Sequence, residues 1–122
     1  MNFETAKYLS LGTFRKTGAR VDTPVWFAED NGSFYVLSNN QAGKIKRIRN
    51  GANCQIAPCT MMGSPTGDWL DSTAYIINDK SEIEKAHAAL KKKYGFQMLL
   101  LDGGARVSGK IHQRSFIKIK KP

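Results

Sequence analysis

The sequence predicts a mainly β domain, a small and partly open antiparallel barrel with short helices. Three observations predict it. Residues alternate with a period of two in 9–15 and 115–120, and the short runs 21–28 and 33–38 also read as strands. Asp30-Asn31-Gly32 is a strong hairpin signal, because Asn-Gly supplies the positive φ values of a tight primed turn. Helical patterns are few, and strands joined by hairpins fit a small barrel better than a doubly wound parallel sheet.

The elements follow in order. Asn2 caps a short helix running through Glu4, Lys7 and Tyr8. Leu9 to Arg15 is a first strand, and Thr17-Gly18 a turn. Val21 to Ala28 is a second strand, interrupted by Pro24. A proline there has no backbone donor, so the position is an edge, a bulge, or a place where a ligand replaces a neighbouring strand. The hairpin leads to a third strand, Ser33 to Ser38, and a polar turn through Gln41. A helix from Ala42 to Arg49 sets Ile45 and Ile48 on one side, with Lys44, Lys46, Arg47 and Arg49 around the rest. Cys54 to Cys59 is a fourth strand and Asp68 to Ile77 a fifth. Ser81-Glu82-Ile83-Glu84 reads as a capping box opening a helix to Lys93, closed by Gly95. Ile83, Ala86, Leu90 and Tyr94 make its buried stripe. Phe96 to Leu101 is an apolar segment, helix or strand, broken by Asp102-Gly103-Gly104. Ser115 to Lys120 is the last strand.

A length of 122 residues predicts one domain, 1–122. Nineteen Lys and Arg against ten Asp and Glu give a net charge of +9. Such an excess favours an anionic partner (nucleic acid, an anionic membrane surface or a phosphorylated small molecule) or serves solubility alone. Cys54 and Cys59 fit neither a zinc site nor a disulfide framework, and five residues apart in one strand they face opposite ways. The first residues lack the basic and apolar regions of a signal peptide, and nowhere do eighteen apolar residues follow one another. The expectation is a cytoplasmic protein with reduced thiols and no membrane span.

The most informative stretch is 38–49. A strand ends in small polar residues, a helix begins, and Lys44 falls in its first turn. Free N–H groups and the positive end of the helix dipole favour an anion there, which accounts for a lysine the helix itself would disfavour. The alternative is a solvated basic helix. On the second strand, Pro24 and Trp26 share the face opposite Val25 and Phe27. If the latter pair fills the barrel, Trp26 either walls a flat aromatic ligand or packs at a subunit interface. His87 reads as structural or half-exposed, and His112 has no recognisable partner. Asp68 and Asp71, on opposite faces, make no shared acid–base site. The chain offers no nucleophile motif, so any redox or transfer chemistry falls to a cofactor.

Five segments in order carry a family resemblance: Thr-Phe-Arg-Lys-x-Gly (13–18), Thr-Pro-Val-Trp-Phe (23–27), Gly-Ser-Phe-Tyr-Val-Leu-Ser (32–38), Gly-Lys-Ile-Lys-Arg-Ile-Arg-Asn (43–50) and Lys-Tyr-Gly-Phe-Gln (93–97). Together they resemble the pyridoxamine 5'-phosphate oxidase-like flavin and deazaflavin oxidoreductases, and most of all the branch of probable deazaflavin (F420)-dependent enzymes. The resemblance implies a split β-barrel of the FMN-binding-protein type, with about six antiparallel strands. It implies a homodimer with FMN or F420 at the interface and hydride transfer to or from a small-molecule substrate. Carried over, Pro24, Val25 and Trp26 line the cofactor ring, and Ser38 and Asn39 lie near the ribityl chain. Lys44 binds phosphate, Lys46 adds charge, and Trp69 on the fifth strand approaches from around the site. Many relatives have Ser or Arg before the Gly-Lys pair; Ala42 here removes one phosphate contact, which the +9 charge compensates. That charge also suits the anionic tail of F420. The alternative on the same fold is a non-catalytic flavin or haem carrier. Nucleic-acid binding would rest on the basic helix and the Lys118–Lys121 tail, but no aromatic-interleaved motif accompanies them, so no specific nucleic acid is expected.

Overall fold

The computed structural model describes residues 2–109 and 113–122; Met1 and residues 110–112, His112 among them, lie outside that description. In chain order the elements are β1 (Tyr8–Phe14), β2 (Arg20–Asp30), β3 (Ser33–Asn39), α1 (Gly43–Asn50), β4 (Asn53–Cys59), β5 (Leu70–Ile77), α2 (Lys80–Tyr94), α3 (Phe96–Ser108) and β6 (Arg114–Lys120). The strands form an antiparallel barrel in the order β1-β2-β3-β6-β5-β4, and β4 closes it on β1. Period-two alternation builds the interior: Leu9, Leu11, Val25, Phe27, Phe34, Val36, Ile56, Ile117 and Ile119 all point inward, and Ile45 and Ile48 of α1 join them. Each such side chain contributes about 1.5–3 kcal/mol on burial.

Two strands change neighbours halfway along. β2 pairs with β1 from Arg20 to Trp26, then with β3 from Phe27 to Asp30. β5 pairs with β4 from Leu70 to Thr73, then with β6 from Ala74 to Ile77. At the first changeover β1 has not yet begun opposite Phe27, since Trp26 faces its first residue, Tyr8. The buried Tyr94 hydroxyl fills the gap. It accepts from the Phe27 N–H at 3.0 Å and lies 2.6 Å from the Lys7 carbonyl, which takes its proton. Lys93 Nζ donates to the Phe27 carbonyl at 2.7 Å. Burial pushes the Tyr94 phenol up to about 12, against the pull of its Phe27 backbone bond, so it stays protonated.

Helix α2 packs across the outside of the changeover. Ala86, Leu90 and Tyr94, with Ile83 partly buried, lie against Ala28, Tyr35, Ile77 and Phe116, the stripe expected from the sequence. Trp26 stacks on Tyr94 with centroids 4.4 Å apart and planes 9° from parallel. Gly95 ends α2 at φ +54, a value that disfavours residues with a Cβ. Asn31 and Gly32 adopt the positive φ values expected of the hairpin.

Several boundaries differ from expectation. The first residues form one turn rather than a helix: the Asn2 side chain accepts from the Glu4 N–H at 3.0 Å, and by Tyr8 the chain is in β1. Ladder bonds to both β2 and β4 outweigh a short helix that carries its own nucleation cost. The cap of α2 is Asp79, not Ser81, its carboxylate accepting from the Glu82 N–H at 2.9 Å. Strand β5 starts at Leu70, so Trp69 and Asp68 precede it and the Asp68–Asp71 pair does not share a strand. Asp102-Gly103-Gly104 does not break the segment after Gly95; α3 runs through it to Ser108. Two mid-helix glycines cost about 1 kcal/mol each, and tertiary contacts of Asp102 outweigh them. Cys54 and Cys59 are both buried and free, and burial pushes the Cys54 thiol up to about 11, away from reactivity. No helix among the described residues is long and apolar enough to cross a membrane.

Candidate functional site

Beyond the Phe27–Val36 pair β2 and β3 part company. Residues 20–26 stay with β1, while Leu37, Ser38 and Asn39 stay with β6. Pro24 lies in this stretch, where β3 offers no ladder partner, so its missing donor leaves no β2–β3 bond unmade. A cavity of about 580 Å³ opens in the wedge. Pro24, Val25, Trp26 and Leu37 give it apolar walls, Leu100 and Leu101 of α3 cover it, and Gly104, Ala105 and Ser108 keep that side shallow. The Ser38 hydroxyl donates to the Asn39 carbonyl at 3.1 Å, and the Asn39 side chain accepts from the Gln41 N–H at 2.8 Å. Those bonds shape the turn that delivers the start of α1 to the cavity.

At that start Ala42 provides no side-chain cap, and the first turn holds no acidic residue. The N–H groups at the N-terminus of α1 therefore have no side-chain acceptor from the cap. Lys44 lines the cavity beside them, half-buried, and has no hydrogen bond or ion pair among the described residues. Burial pushes its ammonium below the ordinary lysine range, and the nearby Arg47 guanidinium pushes the same way. An anion at this point would relieve both effects.

A second cation, Arg114, also lines the cavity. Its Nη2 lies 2.8 Å from Asp102 Oδ1, and Asp102 Oδ2 lies 2.9 Å from His87 Nε2. Burial alone would raise the Asp102 carboxyl, but hydrogen bonds from Arg114 and then His87 outweigh it and hold it below the usual range. The three residues tie α3, β6 and α2 together. His87 is thus the structural, half-exposed histidine expected from the sequence.

Six of the eight residues singled out in the sequence meet at this cavity: Pro24, Val25, Trp26, Ser38, Asn39 and Lys44. Lys46 and Trp69 do not line it. Lys46 is exposed, two positions along the helix from Lys44 and so on another face. Trp69 packs beneath the Arg20 guanidinium, 3.9 Å from its ring centroid. Sequence reasoning missed Arg114, the run of α3 beyond Leu101 and the place of that helix at the cavity. Met98, Asp102 and Ala105, at helical spacing, were the available signal. Among the described residues no Asp, Glu, His or Cys lines the cavity; its polar side chains are Ser38, Asn39, Lys44, Ser108, Gln113 and Arg114. No group of three or more metal-ligating His, Cys, Asp or Glu residues occurs among the described residues.

No family model matches the sequence, and no curated protein matches it. Solved structures do. HutZ, the haem storage protein from Vibrio cholerae, superposes with a TM-score of 0.73 at 14% identity, over 98% of this chain and 84% of that one. The fold is a split β-barrel. A Listeria innocua protein provisionally named a pyridoxamine 5'-phosphate oxidase aligns with a TM-score of 0.65 at 16% identity, covering 95% of this chain and 84% of its own. A haem binding protein from Mycobacterium smegmatis gives 0.66 at 13% identity, over 96% of this chain and 46% of that protein. At such identities the likeness is one of fold.

Proposed function

We propose that the cleft between β2 and β3 binds a flat, anionic redox cofactor, FMN or the deazaflavin F420, and that the protein is an oxidoreductase transferring a hydride between it and a small molecule. The observation that carries this reading is Lys44, a half-buried cation with no hydrogen bond or ion pair among the described residues, at the uncapped start of α1 and facing an apolar wedge. The lining suits such a group: Pro24, Val25, Trp26 and Leu37 offer walls for a planar ring, and Lys44 and Arg114 offer charge for a phosphate. The cofactor would supply the hydride chemistry, while the chain binds, orients and shields it. A dimer fits the same reading. Phe96, Leu99, Leu100 and Leu101 are exposed on α3, two of them at the cavity, and a second copy would cover them.

A second reading, a flavin or haem carrier without turnover, is favoured by fold neighbours named for haem storage and haem binding. The deciding experiment titrates the protein with FMN, F420 and haem, following fluorescence or absorbance and sedimentation. Replacing Lys44 with alanine should weaken FMN or F420 by about 1.5–3 kcal/mol, the scale of a charge-assisted bond. Unchanged affinity at matched salt overturns the phosphate site. Tight binding without hydride exchange with any reductant selects the carrier.

A further inference from the structure

Arg114 lines a second cavity as well, of about 650 Å³, between α2 and the β5–β6 pair. Its walls have a different chemistry from the cleft. Ile77, Ile83 and Phe116 form an apolar side, large enough for an aromatic ring. Arg49 of α1 stands at it exposed, with no hydrogen bond or ion pair among the described residues. Arg114 has one terminal nitrogen on Asp102, and the rest of its planar fork remains a donor surface. Glu84 is the one carboxylate in the lining, so the cations prevail.

We propose that this cavity is a second ligand site, for a small planar organic acid. The ring would lie against Ile77, Ile83 and Phe116, and the carboxylate would meet Arg49 and Arg114. Arg114 is shared with the cleft, whereas Arg49 and the apolar wall belong to this cavity alone.

Indole-3-acetate has both features and serves as the probe. Calorimetry on the full chain should show saturable binding at one per chain. Amide shifts mapped by NMR on the unaltered protein should centre on Asn40, Asn78 and Phe116, not on Trp26 and Ser38. Indole, without the carboxylate, should bind about fivefold or more weakly. Arg49→Gln, a change at an exposed position, should weaken the acid by a similar factor, while Lys44→Ala should leave it within about twofold. Failure to saturate at millimolar probe overturns the proposal. So do shifts centred on the cleft, or indole binding as well as the acid.

Discussion

Replacing Tyr94 with phenylalanine removes a single oxygen and leaves the ring that stacks on Trp26. That oxygen accepts from the Phe27 N–H at 3.0 Å and gives its proton to the Lys7 carbonyl at 2.6 Å. The Phe27 carbonyl keeps the Lys93 ammonium, so it is not stranded. The change therefore leaves one buried N–H unmet and one carbonyl without its donor. An unmet buried donor costs about 1–3 kcal/mol and an ordinary lost bond about 1 kcal/mol, less a part recovered because a benzene ring is buried more favourably than a phenol. The expected loss is about 2–3 kcal/mol. Urea unfolding followed by tryptophan fluorescence and circular dichroism measures it, with the slope unchanged if the unfolded state is the same. Tyr75→Phe, at an exposed position, is the control and should fall within about 0.5 kcal/mol of zero. A Tyr94→Phe loss as small as the control would refute the claim that this hydroxyl holds the strand changeover together.

Three further outcomes follow from the geometry. Asp102 has a depressed carboxyl, so its contribution is present above the ordinary carboxylate range and is lost as pH falls through its own lower value. Asp102→Asn should lower stability by about 1–3 kcal/mol near neutrality and by much less in strong acid, read from urea midpoints at both pH values; an equal gap at both would deny the carboxylate charge a part. Gly95→Ala meets no atom within 4 Å, so its cost is the backbone's alone at φ +54, about 1–3 kcal/mol by thermal melts. Arg114→Gln should weaken FMN or F420 by about 1–2 kcal/mol in the titration used for Lys44, and no change would remove Arg114 from the site.

The barrel was legible because β1 and β6 alternate, because β2 and β3 are short apolar runs, and because Asn31-Gly32 between them can do little else than turn. The stripe Ala86-Leu90-Tyr94 was equally plain. Local signals misled where a distant partner decided the outcome. Asp102-Gly103-Gly104 reads as a stop until Arg114 and His87 are seen to hold the aspartate from other elements. Ser81-Glu82-Ile83-Glu84 reads as a capping box, yet Asp79, two residues earlier, holds the Glu82 N–H. The cleft residues on β2, β3 and α1 were found because they cluster in two short stretches. Arg114 stands alone at the start of β6, and no neighbour in sequence betrays that it faces two cavities.

Because the cleft arises where two strands diverge, no loop is needed to build it. Pro24 and Trp26 face it from positions interleaved with Val25 and Phe27, whose side chains belong to the barrel core. Val25 does both, lining the cleft while belonging to the core, and Trp26 packs on Tyr94. Ligand preference and fold integrity thus meet in one short strand segment, so redesign of what the cleft holds by directed evolution has to select for stability at the same time.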